Sequence, residues 1–254
     1  MQQGQGYGKP FAGVYNKMWT GFALQLAPII HAWHQAAGGD KGKRILDVCC
    51  GTGQLLLYFL ERGYTGTGID LSAEMLSHAR ENCARFLSGS QVDFVQADAA
   101  DFRLPGRYDL AVSTFDALNH LASLDALRAC FVCVRAALVK GGAFVFDLNT
   151  EKGLRRWNSI AVEDGEQVVL INRGLYSRGM ERAYTRITGF TRTGPETWSR
   201  FEETAFNTVF RMADVKDALT RAGFQESWFA AGRVFTQRAV DPEDQDRAYI
   251  IARA

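Results

Sequence analysis

Hydrophobic residues fall in two textures along this chain. Between residue 44 and roughly residue 150, short apolar runs that end in an acid alternate with segments of helical period. Between 160 and 210, apolar and polar residues alternate singly, as in antiparallel strands. In the first region, Arg44-Ile-Leu-Asp47 predicts a buried strand ending in Asp47, followed by a tight turn with two glycines, Gly51 and Gly53, and a helix from near Gln54. Thr65–Asp70 predicts a second strand, with Ser72 as the N-cap of a helix and Met75 at its third position. Val92–Asp98 and Tyr108–Thr114 predict a third and fourth. Gly142–Asn149, after a turn at Lys140-Gly141, predicts a fifth.

The remaining elements follow from the same signals. Phe22–Ala37 reads as a helix with Leu24, Ile29, Ile30 and Trp33 on its apolar side, stopped by Gly38-Gly39. Leu124–Leu138 is an amphipathic helix. Glu166–Asn172, Arg182–Thr188 and Trp198–Thr204 read as strands of an inserted sheet, with turns at Arg178-Gly179 and Thr193-Gly-Pro195. Met212–Ala222 is a helix stopped by Gly223, and Gln225–Ala231 and Arg247–Ala254 are closing strands. The organisation expected is an N-terminal lid segment (1–43), an α/β core (44–159), an antiparallel substrate cap (160–210) and a completion of the core sheet (211–254).

The turn at 49–53 carries the chemistry. Its glycines let backbone approach a ligand without a Cβ between them, and it lies at the carboxyl end of a strand, where open α/β sheets bind ligands. A dinucleotide fingerprint needs a third glycine, but Gly51-Thr-Gly-Gln-Leu-Leu56 lacks it. Asp47 would repel a pyrophosphate and suits a ligand with an ammonium group, such as S-adenosylmethionine. Asp70 follows at about the 20-residue separation of a strand-end acid that binds ribose hydroxyls. Asp98 would accept a hydrogen bond from an adenine amine. Three acids over one crevice are more specific than any one alone.

These residues resemble the class I S-adenosylmethionine-dependent methyltransferases. Asp47-Val-Cys-Cys-Gly-Thr-Gly53 is similar to their cofactor loop, Asp70 to their ribose-binding acid, and Asp98-Ala99 to their adenine-binding pair. The resemblance covers residues 44 to 150 and returns in the closing segment. It departs at Cys49, where the family usually has glycine, which implies a slightly tighter loop with binding intact. It implies a doubly wound, mostly parallel, seven-stranded Rossmann-like sheet carrying the inserted antiparallel one. Cofactor contacts are expected from Tyr15, Cys49, Cys50, Gly51, Thr52 and Gly53, and from Leu71, Met75, Thr114 and Phe115, beside the three acids and Ala99. The organisation from lid to closing strands is similar to small-molecule members, among them N,N-dimethyltransferases of nucleotide-linked amino sugars.

An activated methyl group chiefly requires alignment, worth on the order of 7–11 kcal/mol, plus a base if the acceptor starts protonated. His120, after the fourth strand, is the candidate base. Tyr7 and Asn119 are candidate substrate contacts, and Asp116 orients a substrate or shapes the turn. Tyr7 and the segment Phe11–Trp19 either close over the cofactor as a lid or anchor the first helix to the sheet. Arg173, Tyr176, Arg178 and Tyr184 are candidates for facing a substrate from the inserted sheet, although half of any strand faces away.

Composition narrows the partners. The 254 residues are 47% hydrophobic and 22% charged with a net charge of +1, an ordinary globule without a basic face for nucleic acid. No apolar stretch reaches the roughly 20 residues of a membrane span, and Met1–Gly6 lacks signal-peptide character, so a cytoplasmic protein is expected. Cys130-x-x-Cys133 lies inside a helical run and reads as packing, and His31 with His34 lacks a third ligand, so no metal is expected. The expected activity is methyl transfer to N or O of a small molecule, releasing S-adenosylhomocysteine, in a monomer or homodimer. A macromolecular methyltransferase, a non-catalytic cofactor-binding protein and a Rossmann oxidoreductase are the alternatives.

Overall fold

The computed structural model describes residues 7–38 and 42–254. The first six residues and Gly39, half of the predicted helix stop, lie outside the described residues; Gly38 takes φ +86° after the helix. Helices α1 (Lys9–Met18) and α2 (Gly21–Ala36) come first. The core follows as β1 (Arg44–Val48), α3 (Gln54–Leu60), β2 (Thr65–Asp70), α4 (Ala73–Asn82), α5 (Ala84–Leu87) and β3 (Val92–Gln96). It continues as β4 (Tyr108–Ser113), α6 (Leu124–Ala137) and β5 (Leu138–Asn149). After α7 (Glu151–Leu154) come β6 (Ile160–Asp164), β7 (Val168–Leu175), β8 (Arg182–Arg192) and β9 (Trp198–Thr208). The chain closes with α8 (Met212–Arg221), β10 (Glu226–Ala231), β11 (Val234–Arg238) and β12 (Arg247–Arg253).

The large sheet runs β11-β10-β12-β5-β4-β1-β2-β3. Strands β1 to β5 are parallel, and β12 is antiparallel to both β5 and β10. Strand order reverses between β1 and β4, the switch point at which open sheets hold ligands. Alternation along each strand feeds two cores. Ile45 and Val145 face α2, α3 and α4, whereas Leu46, Phe144 and Phe146 face α6 and α8. Each fully buried Leu or Phe contributes about 1.5–3 kcal/mol. Ser72 and Ser123 cap α4 and α6, accepting from Met75 N and Ala126 N at 3.2 Å each.

The sheet has eight strands where seven were expected. The eighth, β11, forms a hairpin with β10 through Gly232-Arg233, with Gly232 at φ +58°, and Trp228 Nε1 donates to Phe235 O at 2.9 Å. Strand β5 begins at Leu138 and passes through the predicted turn. Gly141, at φ +79°, forms a bulge that shifts the register between Tyr108↔Leu138 and Leu110↔Ala143. The third strand ends at Gln96, before Asp98. Leu24, assigned to the apolar side of its helix, is 50% exposed.

The second sheet, β6-β7-β8-β9, is fully antiparallel. Helix α1 packs between it and α4 through Phe11, Val14, Met75, Leu170 and Ile187. Thr208 Oγ1 donates to Leu121 O at 2.6 Å and Arg182 Nη2 to Ala122 O at 2.8 Å, tying this sheet to the segment after β4. His31 and His34 belong to packing: His34 Nδ1 is 3.0 Å from Tyr64 Oη, and the His31 ring meets Tyr64 edge-on. Cys130 is buried among the residues of α6, and no helix among the described residues is long and apolar enough to cross a membrane.

Candidate active site

The loop after β1 is built from left-handed residues. Cys49, Gly51 and Gly53 take φ of +59°, +53° and +76°. For Cys49, the residue standing where a glycine was expected, that conformation costs about 1–2 kcal/mol. Cys50 N donates to Ile69 O and Gly53 N to Cys50 O, both at 2.9 Å, which closes the turn. A Cβ on Gly53 would meet Ala79 Cβ at 3.1 Å, so this glycine serves helix packing. Asp70 receives Gly51 N on one carboxylate oxygen and Ser72 N on the other, each at 2.9 Å. Burial raises its pKa, and these amides oppose the shift.

Asp47 differs from Asp70. It is 2% exposed, and among the described residues no donor reaches its carboxylate. Burial pushes its pKa well above the ordinary carboxylate range, and the Asp70 charge adds to the effect. Asp47 borders a small recess with Cys50 and Thr52, whose Oγ1 is buried without a hydrogen-bond partner. An uncompensated buried carboxylate beside an unsatisfied hydroxyl fits a ligand that brings an ammonium group.

The recess adjoins a cavity of about 430 Å³, sharing Tyr15, Trp19, Cys49, Thr114 and Phe115 with it. Tyr7, Tyr15 and Trp19 wall the cavity from the N-terminal segment, Gly51, Asp70, Leu71 and Met75 from the core loops. The segment after β4 supplies Thr114, Phe115, Asp116 and His120. Trp157, Asn172, Thr185 and Ile187 come from the antiparallel sheet and its approach. His120 Nε2 and Tyr7 Oη are 3.2 Å apart. Burial lowers the His120 pKa, against Asp116 and a hydrogen bond to the Phe206 backbone, so the imidazole is neutral at neutral pH. Burial, with Tyr15 and nearby acids, raises the Tyr7 pKa, so its hydroxyl keeps its proton.

Most expected site residues are gathered around this space: Tyr7, Tyr15, Cys49, Gly51, Asp70, Leu71, Met75, Thr114, Phe115 and His120 on the cavity, Asp47, Cys50 and Thr52 on the recess. Asn119, Asp98 and Ala99 lie away from this space. Asn119 is fully buried and its amide is spent on backbone, giving to Thr208 O and Asn149 O and accepting from Asn149 N, so it shapes the loop and offers a substrate nothing. Asp98 is exposed, accepts from Ala100 N at 2.8 Å and does not line the cavity, and Ala99 is buried in the core. In the antiparallel sheet Asn172, Gly174 and Thr185 face the cavity, whereas Tyr184 packs on Phe206, Arg173 reaches Thr188 and Tyr176 is buried beside Leu154 and Ala183.

Arg247 is a cavity residue with no signal strong enough to single it out in the sequence. It lines the cavity and pairs with Asp116 at 2.7 Å and with buried Asp147. The available signal was an arginine at each end of a closing strand that is apolar between them, Arg247-Ala-Tyr-Ile-Ile-Ala-Arg253.

A mostly parallel sheet reversing at β1/β4, an acid-bearing glycine turn and a cavity walled by both sheets define a cofactor-binding α/β enzyme. A methyltransferase domain family model matches residues 45–142. The chain is 33% identical to a ubiquinone biosynthesis O-methyltransferase of Burkholderia multivorans over 66% of its own length and 70% of the relative's. It is 28% identical to a dTDP-3-amino-3,4,6-trideoxy-alpha-D-glucopyranose N,N-dimethyltransferase of Streptomyces venezuelae, over 76% and 79% of the two chains. An S-adenosylmethionine-dependent methyltransferase of Clostridium acetobutylicum has the same fold, with a TM-score of 0.77 at 20% identity over 96% of this chain and 97% of that one. The chain belongs to the class I S-adenosylmethionine-dependent methyltransferases, and S-adenosylmethionine is its cofactor.

Proposed function

We propose that this enzyme methylates a nitrogen or oxygen atom of a small molecule. The observation that carries the reading is the walled cavity, in which a neutral His120–Tyr7 pair lies across from the cofactor loop beneath the antiparallel sheet. A wall of that size on both sides suits a small acceptor better than a folded macromolecule. The relative from Streptomyces venezuelae is named for an amino sugar, and that from Burkholderia multivorans for O-methylation in ubiquinone biosynthesis, which supports a small-molecule amine or hydroxyl.

When bound, S-adenosylmethionine supplies a methyl group already activated on a sulfonium. Asp47 and Thr52 hold its ammonium end and Asp70 its ribose, while Tyr15 and Trp19 keep water out. His120 accepts the acceptor's proton on Nε2, where the Tyr7 hydroxyl now sits. Residues 160–210 form the substrate cap and residues 7–38 the lid. The enzyme works in the cytoplasm, in keeping with five free cysteines. A homodimer would use the outer face or edge of the cap, where Ile160 and Val162 are 69% and 60% exposed. Release of S-adenosylhomocysteine against a panel of amino sugars, other amines and phenols tests the reading: turnover with a small acceptor is expected, and turnover only with RNA or protein would contradict it.

A further inference from the structure

The cavity wall after β4 is held in a conformation that its own residues disfavour. Phe115 and Asp116, consecutive and neither of them glycine, take φ of +65° and +49°. Such a pair persists only where its surroundings over-determine it, and such sites cluster where function uses the geometry. The surroundings here are specific. Asp147, fully buried on β5, accepts Phe115 N on Oδ1 at 2.8 Å and Asp116 N on Oδ2 at 2.9 Å, so one carboxylate captures both strained amides. Burial raises the Asp147 pKa, and Arg247 is the largest influence drawing it back.

Arg247 closes the arrangement from β12. One terminal nitrogen donates to Asp147 Oδ2 and the other to Asp116 Oδ1, the latter at 2.7 Å. Its guanidinium carbon lies 4.7 Å from the Phe22 ring centroid and 5.8 Å from that of Phe115. Phe22 and Phe115 are themselves stacked, with centroids 4.8 Å apart. At the far end of the same segment, Asn119 and Asn149 exchange backbone and amide hydrogen bonds. The segment is therefore pinned to the end of β5 at both ends, and Arg247 is the cation in the pin nearer the cofactor loop. One N–H of each terminal nitrogen of Arg247 is thus committed to the wall.

We propose that Arg247 is a positioning residue for methyl transfer: through its fork onto Asp147 and Asp116 it holds Thr114 and Phe115 in the wall that the cofactor site requires. A bidentate guanidinium is needed because two carboxylates on different elements must be joined in fixed geometry. Lysine would keep the charge and lose the fork. The proposal rests on the cavity being the S-adenosylmethionine site, and wild-type binding tests that separately.

The experiment is calorimetric titration of S-adenosylhomocysteine into the full-length wild type, Arg247→Ala and Arg247→Lys, each well below its melting midpoint. It is repeated with methylguanidinium, or with an equal concentration of methylammonium, present. The expected result is a dissociation constant raised at least tenfold in Arg247→Ala and several-fold in Arg247→Lys. Methylguanidinium should recover several-fold of the alanine variant's loss, and methylammonium little. If Arg247→Ala does not fold, Arg247→Lys alone decides by its own loss. Affinities within twofold of wild type would overturn the proposal, as would a loss that methylguanidinium leaves unchanged, which would make Arg247 a general stabiliser. No binding by the wild type would instead overturn the assignment of the cavity.

Discussion

The hydroxyl of Tyr7 lies 3.2 Å from Nε2 of His120, a contact between residues 113 apart in sequence that joins the N-terminal segment to the loop after β4. The same segment is anchored where the cofactor site begins. Ser72 Oγ donates to Tyr7 O at 2.8 Å, and Ser72 N donates to Asp70 Oδ1 at 2.9 Å. The candidate base and the candidate ribose acid are thus linked through Ser72 and Tyr7.

Replacing His120 by alanine should lower kcat by about 10²–10⁴-fold with a protonated acceptor, the usual contribution of a positioned base. Affinity for S-adenosylhomocysteine should change little. Steady-state kinetics beside calorimetry separates the two effects, and equal loss in both would make His120 a structural residue.

His120 also sets an acid limit. Its folded-state pKa lies below the ordinary 6.5, so the unfolded chain binds the proton first as pH falls. Stability should therefore decline as pH drops from 6.5 toward the folded value, and the base should stay neutral somewhat below pH 6.5. Melting midpoints of wild type and His120→Gln across pH 5–7 check this: the variant should lose less on acidification.

Asp47→Asn should trade stability against binding. Removing a buried carboxylate that lies beside Asp70 and has no donor should raise the melting midpoint by about 2–4 °C, the shift that about 1 kcal/mol gives in a chain of this size. Losing the partner of an ammonium group should weaken S-adenosylmethionine at least tenfold, or about 1.4 kcal/mol. A lower midpoint would show that the carboxylate has a structural partner.

Asp70→Ala should weaken S-adenosylmethionine by about 1.5–3 kcal/mol, the scale of a hydrogen bond to a charged group, and an unchanged dissociation constant would remove Asp70 from the ribose site. Ser72→Ala, which frees Tyr7 O and also removes the α4 cap, should lower the melting midpoint and speed release of S-adenosylhomocysteine in stopped-flow fluorescence. Identical release rates would make the N-terminal segment an anchor, not a lid.

What could be read from sequence depended on whether local chemistry marked it. The cofactor loop was legible because left-handed turns and strand-end acids leave glycines and aspartates behind: Asp47 borders the recess, Gly51 and Asp70 line the cavity, and Gly53 packs the turn on α4. Strand β11 was not, because its turn is only Gly232-Arg233 and the residues before it already read as one strand. Facing in the cap was illegible for a different reason. Strand β7 has apolar residues on both faces, Val168 and Leu170 on one and Val169 and Ile171 on the other, so alternation alone did not say which side meets the cavity. Asn119 and Arg247 were misread or missed because their partners, Asn149, Thr208, Asp116 and Asp147, come together only when β5, β9 and β12 assemble.

The assignment of one acid-lined cavity to S-adenosylmethionine is open to calorimetric titration of S-adenosylmethionine and S-adenosylhomocysteine, with NADH as control. It predicts that both adenosyl ligands bind with dissociation constants around micromolar, about −8 kcal/mol, and that NADH does not bind. Binding of NADH alone would contradict the assignment of Asp47 as an ammonium site, and the proposed reaction with it.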